Sequence, residues 1–493
     1  MSDALEKRIK KHIIGKPHRF LAVSPLGFEQ TLSRELEIIL GETATEQPHA
    51  TGDGKVEFTT KLTEAWKAVA VSRTANRVLM EVSSFKAENF RELEKKASEI
   101  PWELYLPCHP ERSNASCEVE GSINIHVTCK HSRLYHSDAI AERLYKIIEG
   151  VSVPLAPADT ASATPSAGTP RNAPSQNLYV NFLDDRCTIW LDLAGEELYK
   201  RGFERFVNDA PLKETIASAM IFEAIEILRL RAPRSAQDDT SHPRSITLID
   251  LMSGSGTFSL EAACIANKII PGTCRDFALK HQPAFKDATW NFLIRQETRD
   301  DKCVRRVSRP CLHEHDRVQH LGLERSDNPK TNSATATIAK IITSDISERA
   351  VNIIKHNIEC SPLANISPAP IAPKQKDFFS YTAKEIADAC GDTSPILVLN
   401  PPYGKRLDFD APKLYTQIGK KLTELARDLH HFGKSLTVAI LAPKDDTRDG
   451  TKYTCTANLL RECPALSKEH TPTAKVIQTS HGGFSLNAFF ATI

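Results

Sequence analysis

The chain has 493 residues, more than one ordinary hydrophobic core organises, so two or three domains are expected. Its formal net charge is +1 and 25% of its residues are charged, which excludes a global field that would draw the protein to nucleic acid or to a membrane. Any contact with nucleic acid therefore depends on local basic patches. One patch comprises Lys7, Arg8, Lys10, Lys11, Lys16 and Arg19. It indicates either a solvated terminus or an arm that contacts phosphates.

Targeting and redox signals indicate a cytoplasmic protein. Residues 1–16 lack the apolar core of a signal peptide, and no later stretch approaches the roughly 20 apolar residues of a membrane span. The 12 cysteines are scattered, which is typical of reduced, mostly buried thiols. One cluster has residue types that bind zinc: Cys303, Cys311, His313, His315 and His320. Because it lacks a CxxC pair and is polar and irregular, we predict an insertion there and no metal.

Two small α+β units are predicted before residue 196. In the first, residues 1–84, apolar spacing predicts strands at 20–23, 55–58 and 78–82 and helices at 28–40 and 62–71. In the second, residues 85–195, it predicts helices at 90–100 and 137–148 and strands at 123–128, 178–183 and 187–193. Asp184-Asp185-Arg186 predicts a tight turn between the last two strands. Residues 156–176 are almost wholly small or proline, so a flexible insertion is expected.

Beyond residue 244, strands alternate with helices, which predicts a mostly parallel sheet with helices on both faces. The predicted strands are 245–251, 340–343, 396–399 and 436–441, and the predicted helices are 257–267, 347–357 and 411–431. Residues 475–479 and 485–493, around Gly482-Gly483, predict an antiparallel hairpin at the sheet edge. Residues 231–245 predict a polar break and residues 299–333 a second insertion.

A short run, Asn400-Pro401-Pro402-Tyr403, directly follows the predicted buried strand of residues 395–399. An Asn side-chain oxygen and a proline carbonyl can each accept a hydrogen bond from a planar NH₂ group, and an aromatic ring can stack on the base that carries it. The pattern favours methyl transfer to a nitrogen. The alternative is a proline-containing turn after a core strand.

Small residues between the first strand of the sheet and its helix indicate a nucleotide-type cofactor. They follow Asp250 and comprise Gly254, Ser255, Gly256 and Thr257. The third glycine of a dinucleotide motif is replaced by Ser259, and no phosphate-binding Gly-Lys-Ser/Thr follows. The remaining common candidate is S-adenosylmethionine, with its carboxylate on this turn.

Two further acids complete the predicted cofactor site. Asp345 ends the second strand, where a carboxylate can accept both ribose hydroxyls, and Asp377 could accept the adenine amino group. Either acid alone is more often a helix cap or a turn residue. Their order along the sheet, between the glycine turn and Asn400, favours the functional interpretation.

At this point the chain resembles the THUMP-domain RNA methyltransferases that methylate the exocyclic N2 amine of guanine, especially the bacterial 23S ribosomal RNA branch. The likeness covers nearly the whole chain and is carried by residues 20–29, 131–136, 139–143, 198–203, 210–215 and 277–290. It implies an N-terminal ferredoxin-like unit (1–84), a THUMP RNA-binding domain (85–195) and a class I, Rossmann-like methyltransferase domain (196–493).

The resemblance also assigns site residues. It makes Asp250, Gly254 and Gly256 the cofactor turn, Asp345 the ribose acceptor and Asp377 the adenine contact. Asn400, Pro401 and Tyr403 become the motif that holds the amine. Leu251 and Ser253 stand where the family usually has Pro and Cys, a change that spares the backbone.

The implied partner is RNA, either 23S ribosomal RNA or a pre-ribosomal particle, with no obligate protein partner. Some relatives carry a second, fused methyltransferase domain, and because this chain ends at Ile493 one activity is expected. Position alone makes Arg133, Lys200, Arg201 and Arg205 candidate RNA contacts, with ordinary surface or capping charges as the alternative.

Three rival interpretations remain. THUMP units also serve transfer RNA enzymes, so a transfer RNA guanine is a second candidate substrate. The Asn-Pro-Pro-Tyr turn also occurs in methyltransferases of DNA adenine N6 and of protein glutamine, which present the same planar NH₂. A non-catalytic RNA-binding protein is disfavoured because all four site elements are present.

Overall fold

The computed structural model describes residues 3–107, 123–152, 174–207, 211–230, 245–298, 337–403, 410–448 and 451–493. The predicted insertions lie outside these residues except for 174–176, as do the break at 231–245, apart from residue 245, and the Cys303 to His320 cluster. The chain forms two compact units. Unit 1 comprises Met1–Pro25, Leu32–Gly202 and Pro271–Asp300, and unit 2 comprises Leu26–Thr31, Phe203–Ile270 and Asp301–Ile493. The three-domain division stays a prediction.

The elements of the described residues follow in chain order. The strands are β1 (Pro17–Val23), β2 (Glu46–Gly52), β3 (Lys55–Lys61), β4 (Arg77–Lys86), β5 (Ile123–Lys130), β6 (Gln176–Leu183), β7 (Arg186–Asp192), β8 (Ser245–Asp250), β9 (Thr337–Asp345), β10 (Lys374–Gln375), β11 (Ser394–Leu399), β12 (Thr437–Pro443), β13 (Asp446–Arg448), β14 (Thr451–Tyr453), β15 (Lys475–His481) and β16 (Phe484–Thr492). The helices are α1 (Asp3–Ile9), α2 (Glu29–Leu40), α3 (Leu62–Val71), α4 (Phe90–Ser98), α5 (Ser137–Ser152), α6 (Glu214–Leu230), α7 (Thr257–Ala266), α8 (Asp287–Thr298), α9 (Glu348–Glu359), α10 (Ala383–Cys390), α11 (Ala411–His430) and α12 (Cys455–Glu462). Short 3-10 or π turns lie at Lys10–Ile14, Gly41–Thr43, Trp102–Leu104, Ala278–His281, Pro362–Asn365, Phe378–Ser380 and Pro464–Leu466.

Unit 1 contains a seven-stranded sheet in the order β2-β3-β1-β4-β7-β6-β5. Only the β5–β6 pair is parallel, and the other neighbours are antiparallel. Inward residues of β1 and β3 meet in the core, where Phe20 stacks on Phe58 at a ring distance of 5.3 Å. Asp184 and Asp185 both have a positive φ, 49° and 61°, as a two-residue hairpin turn requires. The tight turn predicted there is confirmed.

Unit 2 contains the sheet that carries the candidate site, in the order β10-β9-β8-β11-β12-β16-β15. The first five strands are parallel, and β16 and β15 pair antiparallel at the edge. This order confirms both the predicted parallel sheet and its terminal hairpin. Successive residues of β11 face opposite sides: Ile396 and Val398 pack in the cluster that includes α6, and Leu397 and Leu399 in the cluster that includes α11. Burial on both faces explains the uninterrupted apolar run.

Strand register brings several strand ends to one edge of this sheet. Asp250 at the end of β8 pairs with Val398 of β11 and with Thr343 of β9. On the other side, Pro443 at the end of β12 pairs with Leu486 of β16. The β15–β16 turn therefore lies at the same edge as the carboxyl ends of the parallel strands, where ligands bind in sheets of this kind.

None of the helices in the described residues is long and apolar enough to cross a membrane. The cysteines of the described residues form no disulfide, and five of them are buried, namely Cys187, Cys264, Cys390, Cys455 and Cys463. The prediction of mostly buried cysteines is confirmed for this part of the chain.

The short segment Leu26–Thr31 belongs to unit 2 although it lies near the N-terminus. Phe28 is fully buried in the core that includes α6. Thr31 donates a hydrogen bond to Glu223 of α6, which also pairs with Lys475 of β15 at 2.8 Å. At Gly27, where φ is 83°, an added Cβ would lie 2.2 Å from the carbonyl oxygen of Gln478. The glycine of the opening motif thus permits a close backbone approach.

Gly27→Ala is expected to destabilise unit 2 more than Gly433→Ala. Both glycines have a positive φ, 83° and 68°, so both substitutions strain the backbone, but the space around Gly433 is open. The additional collision at Gly27 should cost about 1–3 kcal/mol beyond the control. Scanning calorimetry at a fixed heating rate would measure the two thermal midpoints. Equal shifts would contradict the close approach.

Candidate active site

The glycine turn joins β8 to α7 at the edge of the sheet. Gly254 and Gly256 both have a left-handed backbone, with φ of 55° and 80°. Gly256 is the N-cap of α7, and an added Cβ there would lie 3.0 Å from the Ile354 side chain of α9. No atom lies within 4 Å of the corresponding position at Gly254. A ligand can therefore approach the backbone at Gly254 and the N–H groups at the start of α7.

Asp250, the last residue of β8, is fully buried. Ser259 Oγ donates to its Oδ2 at 2.7 Å, and Thr343 Oγ1 donates to Ser259 Oγ at 2.8 Å. Its Oδ1 has no hydrogen-bond partner among the described residues. Burial raises the pKa of Asp250 to about 7. Ser259, which interrupts the dinucleotide motif, thus supports the buried acid.

Asp345, at the end of β9, is hydrogen-bonded to the glycine turn. Its Oδ2 accepts from the Gly254 backbone N–H at 2.9 Å, and its Oδ1 accepts from the Ser347 N–H at 2.9 Å. Each carboxylate oxygen keeps a second lone pair for a further donor. The next residue, Ile346, is 65% exposed, an unusual position for a large apolar side chain beside a candidate ligand site. Sequence reasoning missed Ile346, although an isoleucine directly after the predicted acid was a visible signal.

Asp377 follows the short strand β10 and caps the 3-10 turn Phe378–Ser380. Its Oδ1 accepts from the Phe379 backbone N–H at 3.1 Å. Gln375 of β10 pairs with Asp345 of β9, so these neighbouring strands also end at the edge of the glycine turn. The structure therefore brings the three predicted acids to consecutive strand ends. A local capping role, the alternative weighed for Asp377, is present as well.

Asn400 directly follows β11, the neighbour of β8 on its other side. Its side-chain oxygen Oδ1 is buried and has no hydrogen-bond partner among the described residues. Pro401 is buried, Pro402 is exposed and Tyr403 is half-buried. The Tyr403 ring packs edge-to-face on Phe484 at 5.8 Å, and burial raises its pKa. Phe484, the first residue of β16, was missed by sequence reasoning.

Arg205 lies at the glycine turn, not on an exposed surface. Its side chain is 10% exposed, it forms an ion pair with Glu214, and its Nη2 donates to Ser255 Oγ and Thr257 Oγ1 at 3.3 and 3.0 Å. Arg201 is also buried and donates to the carbonyls of Leu198 and Arg73. The interpretation of these two arginines as RNA contacts is therefore wrong, because burial commits both side chains to internal partners.

The remaining positional candidates are exposed and already have acidic neighbours. Lys200 pairs with Glu196 at 3.3 Å. Arg133 pairs with Glu88 and, at 3.6 Å, with Asp185. Surface pairs of this kind are weak, so both side chains can exchange partners. Their contact with RNA stays a prediction. In the part of the chain that the structure describes, no group of three or more His, Cys, Asp or Glu side chains is placed to hold a metal ion.

Two segments of this chain match known protein families. Residues 240–444 match the family model described as "RMKL-like, methyltransferase domain", and residues 19–79 match "RlmL ferredoxin-like domain". The Ribosomal RNA large subunit methyltransferase K/L of Allochromatium vinosum is 26% identical over 416 residues, 83% of this chain and 46% of that protein. YpsC of Bacillus subtilis is 25% identical over 413 residues, 83% of this chain and 86% of YpsC. The family resemblance is confirmed for these two domains.

The chain spans about half the length of the large-subunit methyltransferases that it matches. Among solved structures, SMU.472, determined in complex with SAH, aligns with a TM-score of 0.62 at 20% identity and covers 97% of this chain and 98% of its own. This likeness confirms the Rossmann-like methyltransferase fold.

Asp250→Asn tests the buried carboxyl. Because the native pKa is raised to about 7, the native protein holds a proton that the unfolded chain releases from about pH 4 upward. This proton contributes at most ~4 kcal/mol to the free energy of unfolding. The contribution is fully present below about pH 4 and is lost as the pH rises through about 7.

We expect the free energy of unfolding of the Asp250→Asn variant, relative to that of the wild type, to increase as the pH rises from 4 to 8. Calorimetry would measure both values. Asp388→Asn, which alters an exposed carboxyl of the same unit, is the charge-matched control. A difference between Asp250→Asn and wild type that stays constant across this range would contradict the raised pKa.

Proposed function

We propose that this chain, which contains an RMKL-like methyltransferase domain and an RlmL ferredoxin-like domain, transfers a methyl group from S-adenosylmethionine to the exocyclic N2 amine of a guanine in 23S ribosomal RNA. The observation that carries the proposal is the buried Asn400 Oδ1, an acceptor without a partner among the described residues, placed at the shared edge of the strand ends. Buried polar atoms are seldom left unpaired in a folded protein, so an unpaired acceptor at this edge is a candidate for binding a donor from a ligand.

The residues of the edge fit S-adenosylmethionine. The open backbone at Gly254 and the N-terminus of α7 suit its carboxylate, and the unpartnered Asp250 Oδ1 suits its ammonium group. The free lone pairs of Asp345 would accept the ribose hydroxyls, and Asp377 the adenine amino group. The exposed Ile346 side chain would gain burial against the adenine. The cofactor, when bound, supplies a methyl group on a positively charged sulfur.

Asn400 and Pro401 would activate the amine by orienting it. The N2 lone pair of guanine is delocalised into the ring, which makes N2 a poor nucleophile. If Asn400 Oδ1 and the Pro401 carbonyl oxygen each accept one N–H, the lone pair turns toward the methyl group. The same two acceptors stabilise the positive charge that grows on nitrogen during transfer. No strong base is needed, because the methylated nitrogen is acidic and loses its proton afterwards.

Tyr403 would hold the target base out of its helix by stacking. Its ring already has a fixed support in the edge-to-face contact with Phe484. Asn400 and Tyr403 follow the same strand, so the amine acceptor and the stacking ring come from one short segment directly after β11. Stacking and amine binding would then select a planar nucleobase with an NH₂ group.

An RNA substrate is supported by the front half of the chain and by the relatives. Residues 19–79 match a ferredoxin-like domain of the RlmL type, and the K/L relatives carry the name of ribosomal RNA large subunit methyltransferases. The THUMP assignment of residues 85–195 and the cytoplasmic location belong to the same proposal. With a net charge of +1, RNA contacts would come from local groups such as Arg133 and Lys200.

Asn400→Ala is expected to lower the single-turnover rate of methyl transfer by about two orders of magnitude or more, because it removes one of the two acceptors that orient the amine. The affinity for S-adenosylmethionine, measured by calorimetry, should stay near that of the wild type. Asp345→Ala, at the end of β9 on the other side of β8, is the matched control, and it should weaken cofactor affinity first. Equal loss of affinity and rate in the Asn400 variant would argue against this assignment.

Labelled-cofactor assays on three substrates test the substrate class. The assays would compare total RNA, DNA and protein extract from cells that lack the protein. We expect label in large-subunit ribosomal RNA, and nucleoside mass spectrometry should identify N2-methylguanosine. Label in transfer RNA would show that the substrate is transfer RNA and not ribosomal RNA. Label in DNA or protein would contradict an RNA substrate altogether. No label in any fraction, with cofactor binding retained, would indicate a binding protein without catalysis.

A further inference from the structure

A buried ion pair lies against the cofactor turn. Arg205 and Glu214 form it, and their side chains are 10% and 11% exposed. Arg205 precedes α6, and Glu214 is the first residue of that helix. Burying two charges carries a large desolvation penalty that replacement by apolar residues would avoid. The cost of burying this guanidinium therefore indicates that Arg205 has a role other than packing.

The guanidinium determines how two hydroxyls of the turn can act. Arg205 Nη2 donates to both Ser255 Oγ and Thr257 Oγ1. Because a guanidinium has donors only, both oxygens must accept, and each hydroxyl hydrogen must point elsewhere. For Thr257 an acceptor is available in the Leu212 carbonyl oxygen at 3.4 Å. For Ser255, the sole partner for its hydroxyl hydrogen among the described residues is Thr257 Oγ1, at a long 3.5 Å.

We propose that Arg205 is a positioning residue that makes the Ser255 hydroxyl a dedicated hydrogen-bond donor to the carboxylate of the cofactor's methionine moiety. The inference rests on the proposed function and names a residue that acts through the predicted turn. A carboxylate is an acceptor only, so it needs a hydroxyl whose hydrogen is not used inside the protein. The positive guanidinium and the first turn of α7 also favour a negative group at this corner.

Glu214 and Asn357 stabilise different groups around Ser255. Glu214 binds Arg205 through Nη1, which leaves Nη2 to the two hydroxyls. The Ser255 backbone has a separate support, because Asn357 Nδ2 donates to its carbonyl oxygen at 3.0 Å. Asn357 is fully buried and also bonds the backbone of Phe206. Replacing Arg205 should therefore free the hydroxyl without loosening the turn.

The test measures affinity for two ligands by calorimetry. One is SAH, and the other is S-adenosyl-3-thiopropylamine, which is SAH without its carboxylate. The variant Arg205→Met/Glu214→Gln removes both charges, so no lone buried charge remains. We expect it to weaken SAH binding by about tenfold or more and to leave binding of the amine analogue near the wild-type value.

Ser255→Ala should reproduce the selective loss of SAH affinity. Combining it with Arg205→Met/Glu214→Gln should add little further, because each change removes the same hydrogen bond to the carboxylate. Arg201→Met, which replaces a buried arginine that donates to the carbonyl oxygens of Leu198 and Arg73, is the matched control and should change neither affinity. Equal loss of both ligands, or SAH affinity unchanged in Ser255→Ala, overturns the inference. Wild-type protein that binds neither ligand overturns the proposed function and the inference with it, so the two failures differ.

Discussion

The register of β8 with its two neighbours is the constraint on which the site depends. Asp250 pairs with Val398 on one side and Thr343 on the other, so the three strands end within a few residues of one another. Asp345 and Asn400 lie at or just past those ends. A slip of one residue would turn each side chain to the opposite face. Burial of β11 on both faces therefore fixes the position of the functional groups as well as the fold.

Most long elements with a clear apolar pattern were predicted from sequence, although α6 was not, and several short or polar elements were missed. The alternation of strands and helices beyond residue 244 was enough for the parallel sheet because each strand is an apolar run. Strand β10 has two exposed residues, Lys374 and Gln375, and its identity comes only from pairing with β9. Helix α10 was also missed, although the capping box of Thr382 and Glu385 is a readable signal. Helix α8 and the residues before it pack into the core of unit 1, although the preceding segment Phe203–Ile270 belongs to unit 2.

In the candidate site, residues within local sequence patterns could be predicted, and a residue whose partners are distant in sequence could not. Small residues at Gly254 and Gly256 and the acid at Asp345 were visible as patterns, and the structure brings them together through the Gly254 to Asp345 hydrogen bond. Arg205 could not be placed, because its partners Ser255 and Thr257 lie about fifty residues further along the chain and no spacing rule connects them. An arginine that looks like a surface charge in the sequence becomes a buried group once the fold is known. Burial is the property that a single sequence reports least reliably for long polar side chains.

The segment Leu26–Thr31 has a consequence for how the chain folds during synthesis. Its partners Glu223 and Lys475 lie far toward the C-terminus, and Gly27 sits against Gln478. During translation these six residues leave the ribosome long before their binding surface on β15 does. Since chains grow at about 5–20 residues per second, the segment waits tens of seconds with Phe28 uncovered. Contacts of such long sequence separation form slowly, so packing of this segment against β15 and α6 is a late event in folding.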